Sequence, residues 1–317
     1  MRIENFFTAL KWDNELHNIS EILHSQIHFQ FPNITPYDIL VAIYSIQMFL
    51  ITKKVQEENI LITTDMHIHS HFSIDSASSI MDCCESAITK KIKRICITDH
   101  VELNPEINKK EGNYFYDVEA YFDSIKQARD TYGDKLTILS GVEIGGGPHY
   151  YPLEYEKYLQ LPYDFIMCSV HDWYDSMFAS QMAVHPMPLE ESFGYYWDEV
   201  YKSVCYGRFD ALAHIDFPKR YYLQAVYEWD KISAILDVMI EKGIALEINT
   251  SSIRKGMDEP MPSKELLDFY KKRGGKYITL GSDAHYAEDI AADFGIFDTP
   301  LIEGLIPVWY QGRERKV

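Results

Sequence analysis

The 317-residue chain carries 30 Lys and Arg against 48 Asp and Glu, a formal charge of −18, and is 46% hydrophobic. That much apolar material excludes a disordered chain. The acidic balance speaks against a binder of nucleic acid or of an anionic membrane, because either needs a net basic face to displace counterions. A small anionic substrate held by a few local cations stays compatible with it. Five cysteines, Cys83, Cys84, Cys96, Cys168 and Cys205, make no Cys-x-x-Cys pair and no even framework, so a reducing cytoplasm is the expected location. The chain does not begin with the basic start and apolar run of a signal peptide. Its longest apolar stretch, 39–51, is interrupted by Tyr44, Ser45 and Gln47 and falls short of the roughly 18 residues that span a bilayer.

Residues 1–58 predict a helical extension. Thr35 is an N-cap with Pro36 at the first helical position, and Leu40, Ile43, Tyr44, Ile46, Phe49 and Leu50 recur at helical spacing. Such an apolar face has to dock, on the rest of the chain or on a sister subunit, so a homo-oligomer is one expectation. Residues 59–317 then alternate β-branched or apolar runs with helix-length segments. The runs lie at 60–64, 94–98, 136–139, 164–170, 209–213, 244–248 and 277–280. Seven runs in this alternation predict a parallel α/β architecture.

The residues just past the runs are chemically selective. After the first run come Asp65, His67, His69 and His71, and after the second Asp99 and His100. The third leads to Glu143, the fourth to His171 and Asp172, the fifth to His214 and Asp216, and the seventh to Asp283 and His285. In a closed parallel barrel these carboxyl ends converge on one face, so residues distant in sequence become neighbours. His67 and His69 are two apart, and an extended backbone turns both imidazoles to one side. Asp283 and His285 repeat that device. Imidazoles mixed with the carboxylates of Asp75, Glu143 and Asp283 suit zinc, manganese or iron. Nine candidate ligands exceed what one ion can use, which predicts two or three divalent ions sharing a bridging carboxylate. His17, His24, His28, His149 and His185 are read as ordinary histidines, and His71 is left out of the set.

With those residues in hand the chain resembles the PHP family, the polymerase and histidinol phosphatase superfamily. The matching pieces are Asp65-Met66-His67-Ile68-His69-Ser70 with Ser73 and Asp75, Ile97-Thr98-Asp99-His100, Gly141-Val142-Glu143-Ile144-Gly145, Ser169-Val170-His171, Ala213-His214-Ile215-Asp216 and Gly281-Ser282-Asp283-Ala284-His285. Leu246 to Ser251, Arg254-Lys255 and Glu259 to Ser263 resemble the histidinol-phosphate phosphatase branch. The resemblance covers residues 62–300. It implies a distorted (β/α)7 barrel, to which the N-terminal helical extension would be appended. It also implies the metal ligands His67, His69, Asp75, His100, Glu143, His171, His214, Asp283 and His285, with no position lost. Asp172-Trp173 after His171 departs from the branch, which bears on the substrate pocket.

The resemblance implies a metal-dependent phosphomonoesterase, with L-histidinol phosphate, in histidine biosynthesis, as the expected substrate. Glu143 is the expected bridge, and Asp99, Asp172 and Asp216 are candidates for orienting ligand imidazoles or protonating the leaving alkoxide. One of Lys219, Arg220, Arg254 and Lys255 should reach the phosphate. Trp173 and Tyr174 are candidates for the substrate's amine and imidazole. Two other readings are a PHP phosphoesterase acting on a nucleotide, sugar phosphate or phosphodiester, and a metal-binding scaffold without turnover. The complete ligand set counts against the scaffold.

Overall fold

The six runs from 94–98 to 277–280 each contribute a strand, another strand starts at Thr64, the last residue of the run at 60–64, and an eighth short strand joins them. The computed structural model describes residues 63–317, so the helix expected over 36–54 and the boundary near residue 58 lie outside the described residues. The strands are β1 (Thr64–Ile68), β2 (Arg94–Glu102), β3 (Thr137–Gly145), β4 (Phe165–Cys168), β5 (Asp172–Trp173), β6 (Ser176–Met177), β7 (Ala211–Leu212), β8 (Ala245–Asn249), β9 (Tyr277–Gly281) and β10 (Ile306–Pro307). Eight of them form one sheet in the order β1-β2-β3-β4-β7-β8-β9-β10, every neighbour parallel, while β5 and β6 make a separate hairpin.

Three strands, β1, β2 and β3, run past the bounds of the sequence reading for one reason. The apolar run ends where the polar site begins, but the extended backbone continues. Thus β2 runs on through His100 to Glu102 and β3 through Glu143 to Gly145, paired residue by residue from Arg94↔Thr137 to Glu102↔Gly145. Likewise β1 contains His67 rather than preceding it.

Alternation along the strands sorts the wall into two faces. Outward residues such as Ile95, Ile97, Ile138, Val142, Ile166, Cys168, Leu246, Ile248, Ile278 and Leu280 pack against the surrounding helices. Those helices show matching stripes: in Val118–Tyr132, N-capped by Asp117, the buried residues are Tyr121, Ile125 and Ala128. Inward residues Met66, Cys96, Leu139, Phe165, Met167, Ala211 and Ala245 fill the lower barrel with Val308 and Tyr310 from the C-terminal segment. Its two strands, β11 (Trp309–Gln311) and β12 (Glu314–Lys316), form an antiparallel hairpin. This hairpin is fastened at the amino ends of β4 and β7. Gly312 N donates to Asp164 Oδ1 at 2.9 Å and Arg313 Nε to Asp210 Oδ2 at 2.5 Å.

The carboxyl end of the barrel is closed by β1 meeting β9. His69 N donates to Ala284 O at 2.8 Å, and Asp283 N to His67 O at 2.9 Å. Beneath them the buried Asp65 carboxylate accepts from Ser282 N (3.0 Å), Ser282 Oγ (2.5 Å) and Ala291 N (2.8 Å). Among the described residues no helix is long and apolar enough to cross a membrane.

Candidate metal centre

The inward positions change from apolar to polar as the strands approach their carboxyl ends, and there the expected residues meet. Glu143 sits in the middle, fully buried. Its Oε2 lies 3.2 Å from His67 Nε2, 3.5 Å from His69 Nε2 and 3.0 Å from His100 Nδ1. Its Oε1 lies 3.0 Å from His214 Nε2 and 3.3 Å from His171 Nε2. Asp283 Oδ1 is 3.4 Å from His69 Nε2 and 3.5 Å from His285 Nδ1, and Asp75 Oδ2 is 3.2 Å from His285 Nε2 and 3.7 Å from His100 Nε2. The structure therefore brings all nine predicted residues together in one cluster, with Glu143 at its middle.

The donor set fits cations. His67 Nδ1 lies 2.6 Å from Glu247 Oε1 and His171 Nδ1 lies 2.8 Å from Glu102 Oε1, so in both rings the Nδ1 proton is donated outward to a carboxylate. Their Nε2 lone pairs then face the centre. There His67 Nε2 is 3.0 Å from His69 Nε2, and His171 Nε2 is 3.3 Å from His214 Nε2. Lone pairs at such separations repel unless positive charge lies among them. Among the described residues His214 Nδ1 has no hydrogen-bond partner though buried, and His100 Nδ1, though near Glu143, makes no aligned hydrogen bond. Four triplets offer ligand atoms within 4.8 Å of one another: His69, His100 and His285; His67, His69 and Asp283; Glu143, His171 and His214; His100, Glu102 and His171. Imidazole with carboxylate suits zinc, manganese or iron.

Electrostatics point the same way. Burial opposes the charge on Glu143, yet His67, His171 and His100 hold its carboxyl well below the usual range. Burial likewise opposes charge on Asp283, and His67, His69 and His285 outweigh it. Burial works against a proton on His67, but Glu247, Glu143 and Asp283 carry its pKa well above the ordinary value. His69, buried and facing His285 and His100, is driven well below it. The centre keeps its acids ionised and draws in positive charge.

The other expected residues divide. Asp99 touches no imidazole: it accepts from Ser70 N (2.6 Å), Ser70 Oγ (2.7 Å) and Ser73 Oγ (2.7 Å), and Ser73 Oγ in turn lies 3.1 Å from His69 Nδ1. Its influence is relayed through that serine. Asp216 is corrected more fully, since its Oδ2 accepts from Ser263 N (2.9 Å) and lies 3.1 Å from Lys219 Nζ. Lys219, expected at the phosphate, is 1% exposed and also donates to Pro260 O at 2.7 Å and Glu259 Oε1 at 3.3 Å. Asp216 and Lys219 form a buried ion pair with each other. Arg254 braces the turn carrying Asp283 by donating from Nη2 to Ser282 O at 2.5 Å.

Arg220 does reach the centre. Its guanidinium lies 4.0 Å from the Phe217 ring centroid, with Nη1 3.5 Å from Asp283 Oδ2 and Nε buried without a hydrogen-bond partner among the described residues. Lys255 stands close enough that Arg220, then burial, lowers its pKa. Asp172 is buried and pushed up to about 7 by burial and by Glu102 and Glu199. The sequence reading missed Glu102 and Glu247 as partners of the ligand imidazoles. Period-two alternation was the available signal, since Glu102 comes two residues after His100 and Glu247 lies between inward Ala245 and Asn249.

Comparison with known proteins agrees with this geometry. The PHP domain model matches residues 65–251, more than half of the chain. A "Probable histidinol-phosphatase" of Clostridium acetobutylicum is 28% identical over 73% of this chain and 89% of its own length. The histidinol-phosphatase of Lactococcus lactis is 27% identical over 71% of this chain and 84% of its own. The crystal structure of histidinol phosphate phosphatase from Lactococcus lactis, complexed with zinc, L-histidinol and phosphate, superposes with a TM-score of 0.66 at 23% identity, covering 80% of this chain and 98% of that one. It shares the fold. With its strand-end histidines and acids gathered on one barrel face, the chain belongs to the PHP domain family.

Proposed function

We propose that this chain is a metal-dependent phosphomonoesterase that hydrolyses L-histidinol phosphate to L-histidinol and phosphate, a step of histidine biosynthesis. The observation that carries the reading is the gathering of six imidazoles and three carboxylates in one cluster centred on Glu143, with Arg220 beside Asp283. The names of the relatives, and the zinc, histidinol and phosphate of the Lactococcus lactis structure, support the substrate. His67, His69, Asp75, His100, Glu143, His171, His214, Asp283 and His285 would hold two or three divalent ions, zinc, manganese or iron. Ions there supply Lewis acidity that neutralises a phosphate dianion and makes water acidic enough to act near neutral pH.

The chain's own residues do the rest. Arg220 and Lys255 repel each other, so a dianion entering between them relieves that repulsion while gaining charge-assisted hydrogen bonds. The Phe217 face keeps the guanidinium from swinging away. Glu143 and Asp283 stay ionised and so fix the number of positive charges the centre needs. Beside His171 the β5–β6 hairpin presents Trp173 and Tyr174 against Tyr195, with ring centroids 4.7 and 4.6 Å from it, a wall suited to the imidazole end of the substrate.

Phosphate release from L-histidinol phosphate, measured beside nucleotide and sugar monoesters and a phosphodiester, tests the reading. The expected result is at least tenfold higher kcat/KM for histidinol phosphate. A preference for another ester would replace the substrate and leave the site. Metal-loaded protein that turned over no ester would favour a scaffold.

A further inference from the structure

Two buried carboxylates outside the ligand set stand behind the centre in matching ways. Glu102 Oε1 accepts from His171 Nδ1 at 2.8 Å, and Glu102 Oε2 has no hydrogen-bond partner among the described residues although the residue is wholly buried. Glu247 Oε1 accepts from His67 Nδ1 at 2.6 Å, and its Oε2 accepts from the His214 backbone N–H at 2.7 Å. Each is seated on a glycine of the next strand. Glu102 lies directly across from Gly145, where an added Cβ would collide with both its oxygens. A Cβ on Gly281 would collide with Glu247 Oε1 and come within 2.6 Å of His67 Cβ. Glycine at these positions leaves the room in which the carboxylates lie.

We propose that Glu102 and Glu247 are positioning residues that set metal affinity at opposite ends of the centre, and that Gly145 and Gly281 are their seats. The inference rests on the metal reading above. Glu102 fixes one ligand ring. Glu247 fixes a ring from β1 and the backbone that carries His214, so it spans two elements and its loss should reach further. A carboxylate behind an imidazole locks the ring's tautomer and direction and makes Nε2 more basic, and loss of such partners typically weakens metal binding by about 10–100-fold.

The test compares wild type with Glu102→Gln, Glu247→Gln and Gly145→Ala. Glutamine keeps the volume and one acceptor while removing the charge. Zinc per chain, zinc affinity by chelator competition and the melting temperature of the metal-free protein are read for each. Glu102→Gln should raise the Kd of at least one ion by about 10–100-fold without lowering the metal-free melting temperature, because it removes a buried charge with an unpaired oxygen. Gly145→Ala should reproduce that loss of affinity, and Glu247→Gln should exceed it. Wild-type affinity in both glutamine variants would overturn the inference while leaving the metal reading intact, as would a lower metal-free melting temperature with unchanged affinity. A wild-type chain that binds no zinc, manganese or iron would remove the metal reading itself and this inference with it.

Discussion

Replacing Lys219 with methionine separates a fold-stabilising cation from a substrate-binding one. The side chain is 1% exposed and its ammonium serves Asp216 at 3.1 Å, Glu259 at 3.3 Å and Pro260 O at 2.7 Å. Asp216 is itself wholly buried, so methionine would fill the space but leave that carboxylate without a counter-charge. Removing one partner of a buried pair costs about 3–5 kcal/mol. For a folded unit of this size each kcal/mol moves Tm by roughly 2–4 °C, so Lys219→Met should lower Tm by about 6–20 °C. Thermal unfolding monitored by circular dichroism gives the shift, and KM for the phosphate ester is measured well below the transition. KM should stay within about twofold of wild type, because Asp216, Glu259 and Pro260 O already engage the ammonium. An unchanged Tm with a tenfold higher KM would refute this reasoning and return Lys219 to the phosphate.

Arg220→Ala should do the reverse, lowering kcat/KM by about 10–150-fold for the loss of a charge-assisted contact of roughly 1.5–3 kcal/mol; steady-state kinetics with inhibition by free phosphate checks it, and unchanged values would contradict a contact between Arg220 and phosphate. Glu143→Gln and His171→Ala should each abolish hydrolysis while the far-ultraviolet spectrum stays native, and full activity in either would contradict the ligand assignment. Asp65→Ala strips Ser282, Ala291 and His67 of a shared buried acceptor; unpaired buried groups cost about 1–3 kcal/mol each, so Tm should fall by at least about 6 °C. A shift under about 2 °C, less than one kcal/mol produces in a unit of this size, would show that β1 and β9 are held by other contacts.

The barrel and its nine candidate ligands were legible because both depend on short-range pattern. Apolar runs mark strands, and a histidine or acid just past a run reaches the carboxyl face whatever the details of packing. What the sequence left open depended on side chains meeting across the fold. Arg220 and Lys219 are neighbours of like charge, and nothing local says that one stacks on Phe217 beside Asp283 while the other turns into a pair with Asp216. Asp99 and Asp216 come at strand ends just as Glu143 does. Yet on β2, Asp99 falls on the outward parity, between inward Thr98 and His100. Glu102 and Glu247 sat in plain alternation with inward residues, but the apolar runs stopped short of Glu102, and Glu247 read as part of a strand.

If the cluster around Glu143 is a metal centre, hydrolysis depends on the ions it holds. Wild-type protein is stripped with a chelator, assayed for phosphate release from L-histidinol phosphate, then titrated with zinc, manganese or iron while bound ions per chain are counted. Stripping should lower the rate at least about 100-fold, since the ions would supply both charge neutralisation and acidified water, and recovery should reach its plateau as two or three ions bind. Undiminished hydrolysis by a chain shown to be metal-free would contradict metal dependence.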